Sequence, residues 1–279
     1  MTTQRPPAVA GTWYPGTRGA LEREVDAYVD AAAEGPRGAI TALIAPHAGM
    51  MFSGPVAAYA YKAAARERFD VAVLAGPSHF VGFEGLALYP EGAFDSPLGP
   101  APIDAGIAAR LAAAPRVRRM PGPHAREHSL EMQLPFLRRL LPDTSIVPIL
   151  MGYQTRDTIE ALAAAVADAA RGSRCLLVAS TDLSHYFDAR TAATLDGRVQ
   201  QHVAAFDAEG LLDLCEQYPE HDRGRFVGCG AGPMIAVMLA ARALGAREAR
   251  ILKYAHSGEV SGDHDAVVGY LAAVMGVFE

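Results

Sequence analysis

Three short apolar runs end in residues that can do chemistry. Ala39–Ala45 stops at Pro46-His47, Val71–Gly76 at Pro77-Ser78-His79, and Cys175–Ala179 runs into Ser180-Thr181-Asp182-Leu183-Ser184-His185. Runs rich in β-branched residues that halt at proline or a polar turn read as buried strands, so each delivers a histidine or an Asp/His pair at its carboxyl end. Imidazole is both the commonest metal ligand and the usual acid/base at neutral pH. Cys229 stands between Gly228 and Gly230 ahead of a helical stretch, where backbone N–H groups and the helix dipole favour the thiolate that metals bind. Glu127-His128-Ser129-Leu130-Glu131 places His128 and Glu131 at i, i+3 on one helix face, a spacing that serves a metal or lets Glu131 orient a ligating imidazole. In the plainer alternative the two acids favour a helix N-terminus. His256 follows the penultimate strand and is expected at the same crevice. Trp13, the only tryptophan, is either a core plug or a pocket wall. Cys175 and Cys215 are expected as small buried hydrophobes, and His124, His202, His221 and His264 as solvent-exposed.

The elements needed to position these groups are legible in the pattern. An irregular Pro/Gly-rich arm around Trp13-Tyr14 leads into a helix over Leu21–Ala33, with Leu21, Val25 and Val29 on one face. Gly54-Pro55 is expected to open a helix over Val56–Arg66, leaving His47–Ser53 as a loop. Further helices are expected over Asp104–Ala114, Glu127–Leu141 (kinked or restarted at Pro135), Arg156–Arg171 behind an N-cap at Thr155, Ala189–Phe206, Ala208–Gln217 and Met234–Leu244, with a polar loop through Arg225. Ser145–Met151 reads as a strand whose Pro148 favours an edge or a bulge, and Arg250–Ala255 and Val267–Met275 as closing strands. Strands alternating with helices predict a three-layer α/β/α sandwich with a mainly parallel, mixed central sheet, in one domain spanning 1–279. In such sheets ligands lie in the crevice outside the strand carboxyl ends.

Composition excludes several classes. The 279 residues are 51% hydrophobic and 20% charged, enough for a sizeable core, and the formal net charge of −6 comes without acidic or basic blocks. Nucleic acid and anionic membranes are therefore not expected partners. No apolar run reaches the length of a membrane span, and the N-terminal residues lack a signal-peptide core, so the expected compartment is the cytoplasm. Three dispersed cysteines make no disulfide framework. No phosphate loop is present; Gly228–Pro233 matches a dinucleotide fingerprint only in part, and neither Ser78 nor Ser184 stands in a nucleophile elbow.

Taken together, Ala10-Gly11-Thr12-Trp13-Tyr14-Pro15, Ala45-Pro46-His47-Ala48-Gly49, Gly76-Pro77-Ser78-His79, Glu127–Pro135, Ser180–His185 and Cys229-Gly230 resemble, in order and spacing, the MEMO family. Its prokaryotic members are called AmmeMemoRadiSam system protein B, and the resemblance runs nearly end to end. That family is similar to the class III extradiol (LigB-like) non-haem iron dioxygenases, which implies the sandwich fold with the site at one sheet end. The resemblance implies that His47, His79 and Cys229 hold a metal, expected as Fe(II) with copper or zinc as alternatives, and that Asp182 and His185 are polar residues of the same pocket; these two are the expected catalytic pair. Trp13, His128, Glu131 and His256, singled out above by their positions, are expected around it. A cysteine replaces the dioxygenases' glutamate, which alters the electronics of a bound iron and adds an oxidisable ligand. Two function classes stay open. One is a metal-dependent, dioxygenase-like oxidoreductase, with Asp182 fixing the tautomer of His185. The other is a non-catalytic protein whose pocket, with or without metal, binds a small molecule, a peptide or other proteins of the AmmeMemoRadiSam system.

Overall fold

A computed structural model describes residues 4–279. Its strands are β1 (Gln4–Arg5), β2 (Gly38–Ala45), β3 (Val71–Pro77), β4 (Leu86–Leu88), β5 (Ala93–Phe94), β6 (Ala101–Pro102), β7 (Val117–Arg119), β8 (Ser145–Met151), β9 (Cys175–Ser180), β10 (His185–Phe187), β11 (Glu248–His256) and β12 (Val267–Phe278). The helices are α1 (Arg18–Ala31), α2 (Met50–Ala64), α3 (Ala105–Ala112), α4 (Leu134–Leu140), α5 (Arg156–Ala170), α6 (Ala189–Ala204), α7 (Ala208–Glu216), α8 (Glu220–Phe226), α9 (Ala231–Ala243) and α10 (Gly258–Ser261). β1, β5 and β6 form a small side sheet, and the other nine strands form the main one, in the order β10-β12-β2-β9-β3-β8-β4-β7 with β11 also paired to β12. β2, β9, β3 and β8 run parallel; β12 and β4 are antiparallel to their neighbours β2 and β8. The sheet is thus mainly parallel and mixed, as the pattern predicts.

Side chains alternate across a strand, and the central strands bury both faces. Ala42 and Ile44 of β2, Val73 and Ala75 of β3 and Leu177 and Ala179 of β9 enter one apolar cluster, packed against α5, α7 and α9. Leu43, Leu74, Leu176 and Val178 enter the other, against α1, α2 and α4. These are the two interfaces of a three-layer sandwich. The parallel strands all end on one edge, so Ala45, Pro77 and Ser180 deliver His47, His79 and Asp182 to the same side.

Four local expectations are corrected. α2 starts at Met50, six residues before the expected Val56, because Gly49 closes a first turn by accepting from the N–H groups of Phe52 and Ser53; Pro55 is carried inside the helix. Residues 127–133 are turns and a single 3₁₀ turn (Glu131–Gln133), and only Leu134–Leu140 is α-helical, with Pro135 in its first turn. The Glu127 carboxylate accepts the N–H groups of His128 and Ser129, offering the backbone a local partner in place of a helix. Pro148 lies in the sheet interior: Leu74 of β3 is its register partner and its carbonyl accepts from Tyr89 N–H just past β4, so β4 ends where the missing donor would be needed. The segment expected as a polar loop before Arg225 contains α8. Among the described residues no single helix is long and apolar enough to cross a membrane.

Candidate metal centre

The ends of β2, β3 and β9 and the turn before α9 enclose a cavity of about 520 Å³. Its walls include Trp13, His47, His79, His128, Asp182, His185, Tyr186, Arg225 and Cys229. Two groups of three side chains have ligand atoms all within 4.8 Å of one another: His47, His79 and His128, and His47, Asp182 and Cys229. The expected trio is split between them: His79 falls in the first, Cys229 in the second, and His47 in both.

Two of these imidazoles, His47 and His79, are oriented by fixed acceptors. The Ser180 hydroxyl donates its one proton to the carbonyl of Ser129 (2.6 Å) and accepts from Gln133 Nε2 (2.8 Å). Its contact of 2.8 Å with His47 Nδ1 must therefore be accepted from Nδ1–H, which leaves the Nε2 lone pair free. That Nε2 lies 3.1 Å from Cys229 Sγ. Gln133 is itself fixed by Tyr61, whose hydroxyl donates to Oε1 at 2.8 Å. His79 Nδ1 lies 2.9 Å from Glu127 Oε1, and Glu127 Oε2 accepts the His79 N–H at 2.6 Å. A carboxylate on one ring nitrogen of a ligating histidine fixes the tautomer and raises the basicity of the other.

Electrostatics follow from this packing. Burial pushes the Cys229 thiol up, but His47 first and then His79 outweigh it and bring it down to about 6. Burial lowers His79, yet bonds to Cys229 and Glu127 lift it to about 10. His128, desolvated and facing His47 and His79, falls to about 3 and is neutral at pH 7. Burial pushes the Asp182 carboxyl above the usual carboxylate range.

The turn bearing Cys229 is tightly seated rather than open. A Cβ on Gly230 would lie 2.3 Å from the Ser180 carbonyl oxygen, and one on Gly228 would lie 2.6 Å from that of Asp182. Glycine at both positions lets the turn press onto the end of β9 and bring Sγ to His47.

Asp182 and His185 both line the cavity, but Asp182 does not bond His185. Its Oδ1 accepts the N–H groups of His47 (2.7 Å) and Ala48 (3.3 Å), tying the end of β2 to that of β9. His185 Nδ1 is buried without a partner. Trp13 is a wall, its ring 4.3 Å from that of His128, and not a core plug. Glu131 faces away: it pairs with buried Arg5 at 2.7 Å and accepts from Ala8 N–H, Val9 N–H and Tyr14 O–H. It clamps the N-terminal arm that carries Trp13, while Glu127 does the work expected of it. His256 is absent from the cavity wall; its ring packs 5.5 Å from His264, and its N–H bonds Glu259. His124, expected exposed, is 1% exposed, and its Nε2 contacts the Ala87 carbonyl. Sequence reasoning also missed Ser180 and Gln133, although both stand in the motifs that carry the resemblance.

Fold and site define a mixed α/β sandwich with a histidine- and cysteine-lined crevice at the carboxyl edge of its sheet. The family model described as Memo-like protein matches residues 5–274, and the chain belongs to that family. It is 35% identical to a MEMO1 family protein of Methanopyrus kandleri, over 97% of this chain and 98% of that one. It is 36% identical to one of Pyrococcus abyssi, over 97% and 99%. The crystal structure of an uncharacterized protein from Escherichia coli K12 superposes with a TM-score of 0.59 at 15% identity, covering 86% of this chain and all of that one; it shares the fold.

Proposed function

We propose that the crevice is a metal centre of an oxidoreductase resembling the extradiol dioxygenases, with Fe(II) held by His47, His79 and Cys229. The observation that carries this reading is that the Ser180 and Glu127 acceptors hold both imidazoles by Nδ1 while His47 Nε2 meets Cys229 Sγ and His79 also bonds Cys229, so the three side chains converge. Two imidazoles and a lowered thiol make a donor set suited to iron, copper or zinc. Fe(II), when bound, would supply one-electron chemistry and a Lewis-acidic position for a substrate oxygen. The chain's own residues do the rest. Glu127 and Ser180 hold the two imidazoles, Asp182 holds the end of β2, and Trp13 and His128 shield one wall from water. His185, on the cavity wall, is assigned the proton transfer to or from a bound ligand.

The test is metal analysis of protein purified without oxygen and offered iron, copper and zinc in competition. Wild type should bind one equivalent with iron retained, and Cys229→Ser should bind it at least tenfold more weakly. A metal-free wild type that ignores all three ions would overturn the reading. A second reading, a binding protein for a partner of the AmmeMemoRadiSam system, is favoured by the exposure of Trp13 and Tyr186, which line the cavity, and of Phe80, three residues past the end of β3. The expected compartment remains the cytoplasm.

A further inference from the structure

The last turn of α8 and strand β10 meet at the cavity mouth through one guanidinium. Arg225 Cζ lies 4.7 Å from the ring centroid of Phe187 and 5.9 Å from that of Phe226, and the two rings are 5.1 Å apart. Arg225 lines the cavity and is exposed. Among the described residues it has neither a carboxylate within 4.0 Å nor a hydrogen-bond acceptor, whereas Arg156, Arg174 and Arg139 each hold a carboxylate. Stacking holds a guanidinium by its faces and leaves the N–H groups on its edge free, which is the geometry for a planar anion.

The neighbouring residue points the same way. Tyr186 has φ of 62°, in the left-handed region, and its side chain is 67% exposed while lining the cavity. A bulky residue there carries backbone strain, and this one gives the core nothing in exchange. Strain of this kind collects where a side chain must be aimed at a ligand. The effect is an aromatic face beside an unpaired cation.

We propose that Arg225 and Tyr186 recognise a small organic carboxylate entering this crevice, Arg225 gripping the carboxylate and Tyr186 covering the body of the molecule. The proposal rests on the reading of the crevice as the ligand site and adds the class of ligand. A monoanion fits better than a phosphate dianion, because one free guanidinium serves it and because Asp182 and the Cys229 thiol stand in the same cavity.

The test uses the full chain, as isolated and after chelator treatment, with benzoate as probe, benzamide as its neutral counterpart and inorganic phosphate as the competing anion. Binding is read from the fluorescence of Trp13, the sole tryptophan and a cavity wall. Benzoate should bind at least tenfold more tightly than benzamide, and more tightly than phosphate. R225Q, with unchanged circular dichroism and melting temperature, should bring benzoate down to the level of benzamide, since a charge-assisted pair is lost, and R225K should recover part of the difference. Benzoate binding that survives R225Q but disappears with the chelator would place the carboxylate on the metal, overturning this proposal and leaving the metal reading intact. Discrimination that depends on Arg225 in protein that binds no metal would uphold the proposal and remove the metal reading. Phosphate binding tighter than benzoate would overturn the assignment to carboxylates.

Discussion

Both oxygens of the Glu127 carboxylate serve His79, Oε1 at the ring Nδ1 (2.9 Å) and Oε2 at the backbone N–H (2.6 Å). Glu131, four residues on, serves the N-terminal arm. Glu127→Gln should therefore weaken metal binding by about 10- to 100-fold, measured against a competing chelator. Glu131→Gln should leave metal affinity unchanged but strand the buried Arg5 charge, lowering stability by about 3–5 kcal/mol in denaturant unfolding. Reversed effects of the two variants would mean that Glu131 supports the site.

The three cysteines should titrate apart. In metal-free protein Cys229 ionises near 6 because His47 and His79 oppose the effect of burial, while burial alone lifts Cys175 to about 11 and Cys215 to about 12. Only the thiolate reacts, so iodoacetamide labelling of Cys229 should rise as pH rises through 6 and level off by pH 8. The other two should stay unlabelled across that range. Peroxide should follow the same order, modifying Cys229 and abolishing iron binding. Labelling of all three cysteines at similar rates would remove the argument for a poised thiolate.

Strand periodicity located β2, β3, β9 and the edge at which they end because buried parallel strands are short apolar runs with clear stops. It failed at 127–133, where apolar and acidic residues sit at helical spacing but the Glu127 carboxylate competes for the backbone N–H groups; a one-dimensional pattern does not show which acid turns inward. The same limit separates Glu127 from Glu131, both of them buried and both acceptors of backbone N–H groups. It also hid the role of the glycines beside Cys229, which let the turn press onto the end of β9. Arg225 carried no signal, since its meaning lies in two phenylalanines, one of them 38 residues away.

Relieving the left-handed backbone at Tyr186 should reveal the cost of the mouth. Tyr186→Gly removes steric strain of about 1–2 kcal/mol and adds chain entropy of about 0.5–1 kcal/mol to the unfolded state. Its melting temperature should therefore match or slightly exceed that of wild type, although the substitution deletes a large side chain. A clear drop in thermal scans would show that the exposed ring packs usefully after all.

His185 separates a group that acts on a ligand from one that holds the ion. It lines the cavity with a buried, unpartnered Nδ1 but stands outside both sets of converging ligand atoms. His47, by contrast, belongs to both sets, and its free Nε2 faces Cys229. His47→Ala should thus lose the metal outright. His185→Ala should keep wild-type metal content and affinity, measured by elemental analysis and chelator competition, and should lose any turnover found for the wild type. Metal loss in His185→Ala equal to that in His47→Ala would make His185 a ligand, and the proton-transfer role assigned to it would fall with that result.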